Sequence, residues 1–139
     1  MTTRRRIVGL ADVVSSTRMG GSDWALLTPR SVGATSGFMG AMTLEPGEYV
    51  SRHLHPFSDE FIYVTEGVLE VEVEGVHHSV PPGEAVFIER GEAHRFRNDG
   101  DVPMFAVYHI APLAPTPGQG HVDLEPAPSP NDIPPQVGG

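Results

Sequence analysis

Gly47-Glu-Tyr-Val-Ser-Arg-His53-Leu-His55-Pro-Phe-Ser-Asp-Glu60-Phe-Ile-Tyr-Val-Thr-Glu-Gly67 is the stretch on which the fold turns. Two histidines one residue apart lie on the same side of an extended strand, because strand side chains alternate faces. His53 and His55 therefore form a pair of imidazoles aimed into one space, with the Glu60 carboxylate following and a glycine at each end. A second block answers it: Gly83-Glu-Ala-Val-Phe-Ile-Glu89-Arg-Gly91-Glu-Ala-His94-Arg-Phe-Arg-Asn98. It brings a third histidine at the start of another strand-like run. We read His53, His55, Glu60 and His94 as one metal site. Imidazole with carboxylate suits Zn, Fe, Ni, Mn or Co.

Working outward, the pattern is strand and turn without pause. Strands are expected at 24–28, 36–44, 49–54, 60–65, 68–74, 77–80, 85–88, 93–98 and 104–110. Val68, Glu70, Glu72 and Glu74 alternate with Leu69, Val71 and Val73, which marks a strand with one buried and one acidic face. Glu45-Pro46-Gly47, Glu66-Gly67, Pro81-Pro82-Gly83 and Asn98-Asp-Gly100 supply turns. Many short strands punctuated this way read as an antiparallel sandwich or barrel. A weak helical signal covers Ala11 to Ser15. Eight of the fourteen prolines fall in Ala111 to Gly139, a segment that cannot build a sheet or helix. The expected division is an N-terminal arm over 1–21, a β domain over 22–113 and a Pro-rich tail over 114–139, disordered beyond about Pro126.

Composition excludes several functions. The chain has 139 residues and no Cys, so neither disulfides nor thiolate metal sites arise. All nine basic residues are Arg, which removes Schiff-base lysine chemistry, and the net charge of −9 argues against nucleic acid or an anionic membrane as partner. The Arg4-Arg5-Arg6 run reads as a solvated terminus. No apolar run has membrane-spanning length and no signal-peptide core follows the first residues, so a cytoplasmic protein is expected.

The two blocks resemble the paired motifs of the cupin superfamily. Gly47, His53, His55, Glu60 and Gly67 match every place of the first motif. Gly83, Gly91, His94 and Asn98 match the second, with Glu89 where the family has Pro. The resemblance implies an all-β, double-stranded β-helix (jelly roll) of small single-domain type, with the metal inside the barrel mouth. A narrower likeness lies in His53 to Gly67 and in Tyr108-His-Ile-Ala-Pro-Leu-Ala-Pro-Thr-Pro-Gly-Gln-Gly-His-Val-Asp123. These resemble small cupin cyclases of bacterial aromatic polyketide synthase clusters, a group with zinc-binding, dimeric members. That likeness puts Zn first among the metals. It implies a metal-dependent cyclase in antibiotic biosynthesis that promotes aldol-type ring closure of a poly-β-ketone, with polyketide synthase components as further partners. Two alternatives stand beside it. One is a cupin oxygenase using Fe, Ni or Mn on an aromatic substrate, and the other is a non-catalytic small-molecule-binding cupin.

Within the cyclase reading, Glu60 and His109 are the catalytic candidates, the base being His109, Glu60 or a metal-bound hydroxide. Four protein ligands close a tetrahedral Zn site, whereas an octahedral arrangement leaves two positions open. His109 shares a face with Phe105 and Val107. It is read either as pointing into the cavity, as base or extra ligand, or as a rim or core histidine. Tyr108 is expected outside. Tyr63 and Phe61 are read as sheet packing, and His77 and His78 as solvated. His121 in the tail is read as a contact to a partner subunit. Arg52, Arg95 and Arg97 are expected to pair with surface carboxylates. A homodimer is expected, because apolar residues before Trp24 lack a partner in a minimal barrel and sheet edges need cover.

Overall fold

A computed structural model describes residues 5 to 137. Part of the basic run (Arg4) and the last two residues of the tail lie outside the described residues. Ten strands run in order: β1 (Ser22–Leu27), β2 (Phe38–Leu44), β3 (Tyr49–Leu54), β4 (Asp59–Glu66), β5 (Leu69–Val73), β6 (Val76–Val80), β7 (Ala85–Ile88), β8 (His94–Arg97), β9 (Met104–Ala111) and β10 (Val122–Asp123). They form two antiparallel sheets, β1-β2-β9-β4-β7 and β10-β3-β8-β5-β6, facing each other as a small jelly roll. The nine expected strands all appear, to within two residues at each end. β10 and a short helix, α1 (Pro29–Val32), are additions. α1 starts at Thr28, whose hydroxyl accepts from Ser31 N at 3.0 Å, an N-cap with Pro following at the first helical position. The helical signal at Ala11 to Ser15 resolves to one 3-10 turn, Leu10–Asp12.

Alternation fixes which side of each strand is buried. In β5, Leu69 and Val71 are fully buried while Glu70 and Glu72 lie toward solvent. The β5–β6 hairpin closes on Glu74 and Gly75, with φ of 49° and 80°. Positive φ at both central residues is the type I′ geometry that matches strand twist, and Gly supplies one of them without steric cost. Leu44, Ile62, Val64, Leu69, Ile88 and Met104 fill the space between the sheets. Each such side chain contributes roughly 1.5–3 kcal/mol by leaving water.

Hydrogen bonds tie the tail to the N-terminal third of the chain. Ser129 N donates to Arg18 O, Thr17 donates to Asp132 through N and Oγ1, Ser16 Oγ donates to Ile133 O, and Arg30 N donates to Val137 O. An extended Pro-rich strap needs no internal ladder. Its carbonyls and carboxylates take up donors from the N-terminal segment instead.

Candidate metal centre and cavity

His53 sits on β3 directly opposite His94 on β8, so the two imidazoles leave the sheet side by side, with centroids 4.2 Å apart. His55 follows one residue past the end of β3. Glu60 comes from β4 in the facing sheet, on the inward side that its neighbours Ile62 and Val64 also occupy. One ligand atom from each of the four lies within 4.8 Å of the others. The structure thus brings together all four residues expected at a metal site.

Proton positions follow from the partners. His53 Nδ1 lies 2.7 Å from Ser51 O, His55 Nδ1 2.9 Å from Gly120 O, and His94 Nδ1 2.9 Å from Glu92 O. A carbonyl oxygen only accepts, so each Nδ1 carries the proton and each Nε2 presents a lone pair inward. His55 Nε2 and His94 Nε2 approach Glu60 Oε1 at 3.2 and 3.4 Å. His94 Nε2 and Glu60 Oε1 are buried without a hydrogen-bond partner among the described residues. Acceptors come this close when a metal ion, or a proton on one of the Nε2 atoms, lies between them. Burial, reinforced by His94 and His55, holds His53 well below the ordinary histidine range, so this ring stays neutral and its Nε2 stays an acceptor. For Glu60, burial is outweighed by the neighbouring His55 and His94, and its pKa lies well below the usual range. For His55, burial is outweighed by Glu60, and its pKa is raised. Three imidazoles and one carboxylate are the donor set a divalent transition metal takes.

A cavity of about 610 Å³ opens on this cluster. Phe38, Met42, Val50 and Phe96 wall it, and Leu113 with Pro134 of the tail covers it. Three further groups face the cavity that the sequence reading did not place there. His121 stacks on His53 with centroids 4.7 Å apart, and its Nε2 lies 2.6 Å from Asp123 Oδ1, while Arg18 holds Asp123 Oδ2 at 2.8 Å. The tail brings His121 to its own chain's cavity because β10 pairs with β3, which sets Asp123 across from His53. Asp23 of β1 accepts from the Tyr108 hydroxyl at 2.5 Å, and both line the cavity. Burial raises the Asp23 carboxyl to about 7 against the opposing Tyr108 bond, and burial raises the Tyr108 phenol well above its usual value.

The expected facing of β9 is corrected. Tyr108 is buried and His109 exposed. Tyr108 pairs with Ile62 and Ile110 with Glu60, and partners share a face, so the even-numbered residues point inward. His109 instead lies on the outer surface beside Phe61, ring centroids 6.1 Å apart, and takes no part in the cavity. The arginines face away as expected: Arg52 pairs with Glu72, Arg95 with Glu125 and Arg97 with Asp99. His77 and His78 are exposed on β6.

The family described as "Cupin domain" matches residues 40–110, from β2 through β9. The chain belongs to the cupin family. Relatives of this cupin include the tetracenomycin polyketide synthase protein TcmJ of Streptomyces glaucescens, 52% identical over 95% of this chain and 89% of that protein. The polyketide synthase protein CurC of Streptomyces cyaneus is 46% identical over 88% of this chain and 79% of its own length. Among solved structures, the polyketide cyclase RemF from Streptomyces resistomycificus superposes with a TM-score of 0.69, covering 91% of this chain and 89% of that one. Its identity is 22%, so the likeness speaks to the fold. No described helix of this cupin is long and apolar enough to cross a membrane.

Proposed function

We propose that this cupin is a metal-dependent polyketide cyclase that promotes aldol-type ring closure of a poly-β-ketone chain in antibiotic biosynthesis. The observation that carries the reading is the buried cluster of three imidazoles and one carboxylate at the end of an apolar cavity. The polyketide synthase names of TcmJ and CurC supply the substrate class. His53, His55, Glu60 and His94 would hold the metal, with Zn first among Zn, Fe, Ni, Mn and Co. When bound, it supplies a Lewis acid that polarises a ketone oxygen. Ser51 O, Gly120 O and Glu92 O fix the imidazole tautomers and ring orientations. Phe38, Met42 and Phe96 give the chain an apolar surface on which to fold into a reactive register. The tail keeps bulk water from the reacting carbonyls.

The reading extends to a cytoplasmic homodimer working beside polyketide synthase components. Phe61, Tyr63 and Phe87 stand about half exposed on the outer face of the β1-β2-β9-β4-β7 sheet, and Ile7 and Val14 are exposed before it, apolar surface that a second copy would cover.

The test is closure of a synthetic linear tetraketone under argon by zinc-loaded protein. Ring formation faster than in buffer, lost when His53 and His55 are both changed to Ala, supports the reading. Dependence on oxygen, with oxygen consumed, would replace it by the oxygenase. Acceleration retained in the double variant would replace it by the binding protein.

A further inference from the structure

We propose that Asp23 and Tyr108 form the proton-handling pair of the cavity: the Asp23 carboxylate takes the α-proton of the bound poly-β-ketone, and the Tyr108 hydroxyl holds that carboxylate in place and returns a proton to the new alkoxide. This rests on the cyclase reading and adds to it the residues that move the proton.

The pair is built across three strands. Tyr108 of β9 pairs with Gly40 of β2, and Gly40 pairs with Ala25 of β1, two residues from Asp23. The phenol must therefore pass over β2 to reach Asp23. A Cβ at Gly40 would lie 2.5 Å from Tyr108 Oη and 2.6 Å from Cζ, so only glycine leaves room for the ring to cross. Asp23 Oδ1 accepts from Tyr108. Among the described residues no group donates to Oδ2 and no Arg pairs with this carboxylate. That leaves an oxygen with a free lone pair on a residue that lines the cavity. Tyr108 stands one diagonal step from Glu60, since their strand partners are Ile62 and Ile110, which spaces the two backbones roughly 7–8 Å apart. A ketone chain held at the histidine cluster thus runs past Asp23.

The electronic environment suits the role. Three charged or titratable groups face Asp23 from the packed elements: Tyr108 from β9, Glu60 from β4 and His55 beyond β3. In the metal-free protein burial and Glu60 raise the Asp23 pKa and Tyr108 and His55 lower it, to about 7, the direction a general base needs. Tyr108 stays protonated, as a donor must.

The step balances without a co-reactant. The C–H pair of a methylene between two carbonyls becomes the nucleophile as its proton passes to Asp23. That pair forms the new C–C bond to a ketone carbon, and the carbonyl π pair moves onto oxygen. The oxygen takes a proton from Tyr108, which recovers one from Asp23.

The test compares Asp23→Asn, Asp23→Glu and Tyr108→Phe with the wild type, each loaded with zinc and its metal content measured, closing the linear tetraketone across a pH series. We expect Asp23→Asn to lower kcat about 100-fold or more, with KM and bound zinc retained, and to erase the rising, acid-side limb of the pH profile. Asp23→Glu should restore part of the rate. Tyr108→Phe should lower kcat and move the limb to higher pH, because it removes a bond that lowers the Asp23 pKa. A carboxyl carbon resonance titrating near neutrality in the metal-free protein, absent from Asp23→Asn, is the readout independent of turnover. A pair that merely braces the strands would instead show lower stability in Asp23→Asn with an unchanged rate per zinc, and that result overturns the proposal. Wild-type protein that carries zinc yet gives no acceleration overturns the cyclase reading, and this inference falls with it.

Discussion

Burying Asp23 costs the fold stability, and the sign of that cost is measurable. Its pKa of about 7 lies above the ordinary 3.8, so between those values the folded state holds a proton that the unfolded chain lacks. The contribution of this one group to stability is therefore fullest below about pH 4, falls as pH rises toward 7, and levels off above it. Asp23→Asn keeps an acceptor for Tyr108 and removes the charge. In the metal-free protein it should be more stable than wild type by a few kcal/mol at pH 8, with the difference closing toward pH 4. Urea unfolding across that range checks this, and a variant less stable at pH 8 contradicts it. The four-residue cluster was legible in the sequence because its spacing carries it: His53 and His55 share a strand face, and each motif ends on a glycine turn. Asp23 was not, because it stands alone on β1 with no motif around it, and what makes it notable is a phenol arriving from a strand 85 residues away in sequence.

At the scale of elements, alternation told which residues of β9 share a face but not which face is inside. Met104, Ala106, Tyr108 and Ile110 form one apolar set, and Phe105, Val107 and His109 form the other. Only the register with β4, which sets Ile110 beside Glu60, decides between them. His109→Ala should accordingly leave ring closure unchanged, a comparison of rates with wild type being the check. The tail escaped the sequence reading for a related reason. Pro-rich composition excludes a helix or a full strand, yet two residues of β10 suffice to dock on β3 and bring Gly120 O to His55 and His121 against His53. Removing residues 115 to 139 should leave both sheets folded by circular dichroism. It should weaken zinc binding by roughly 10–100-fold, the usual effect of losing a partner that orients a ligand. Competition with a chelator measures it, and equal affinity in the shortened chain would mean the tail is no part of the site.

For the whole molecule, two sheets pack one face each against the core, and the second face of one of them remains apolar. Met39, Phe61, Tyr63 and Phe87 gather there with Val107. Light scattering at micromolar concentration should give a dimer, and Phe61→Glu with Phe87→Glu should give a folded monomer. A wild-type monomer would contradict the dimer and leave that face to another partner. The central claim concerns what the cluster inside the other face does. A metal that only braces two sheets and a metal that works on a substrate differ in how they respond to Glu60, the carboxylate of the set. Glu60→Gln changes the charge on the site while keeping its shape. The deciding measurement is ring closure per bound zinc, with excess zinc supplied and occupancy read by metal analysis. With a working metal, the rate per zinc falls at least 10-fold at full occupancy. An unchanged rate per zinc would contradict it and leave the metal a structural brace.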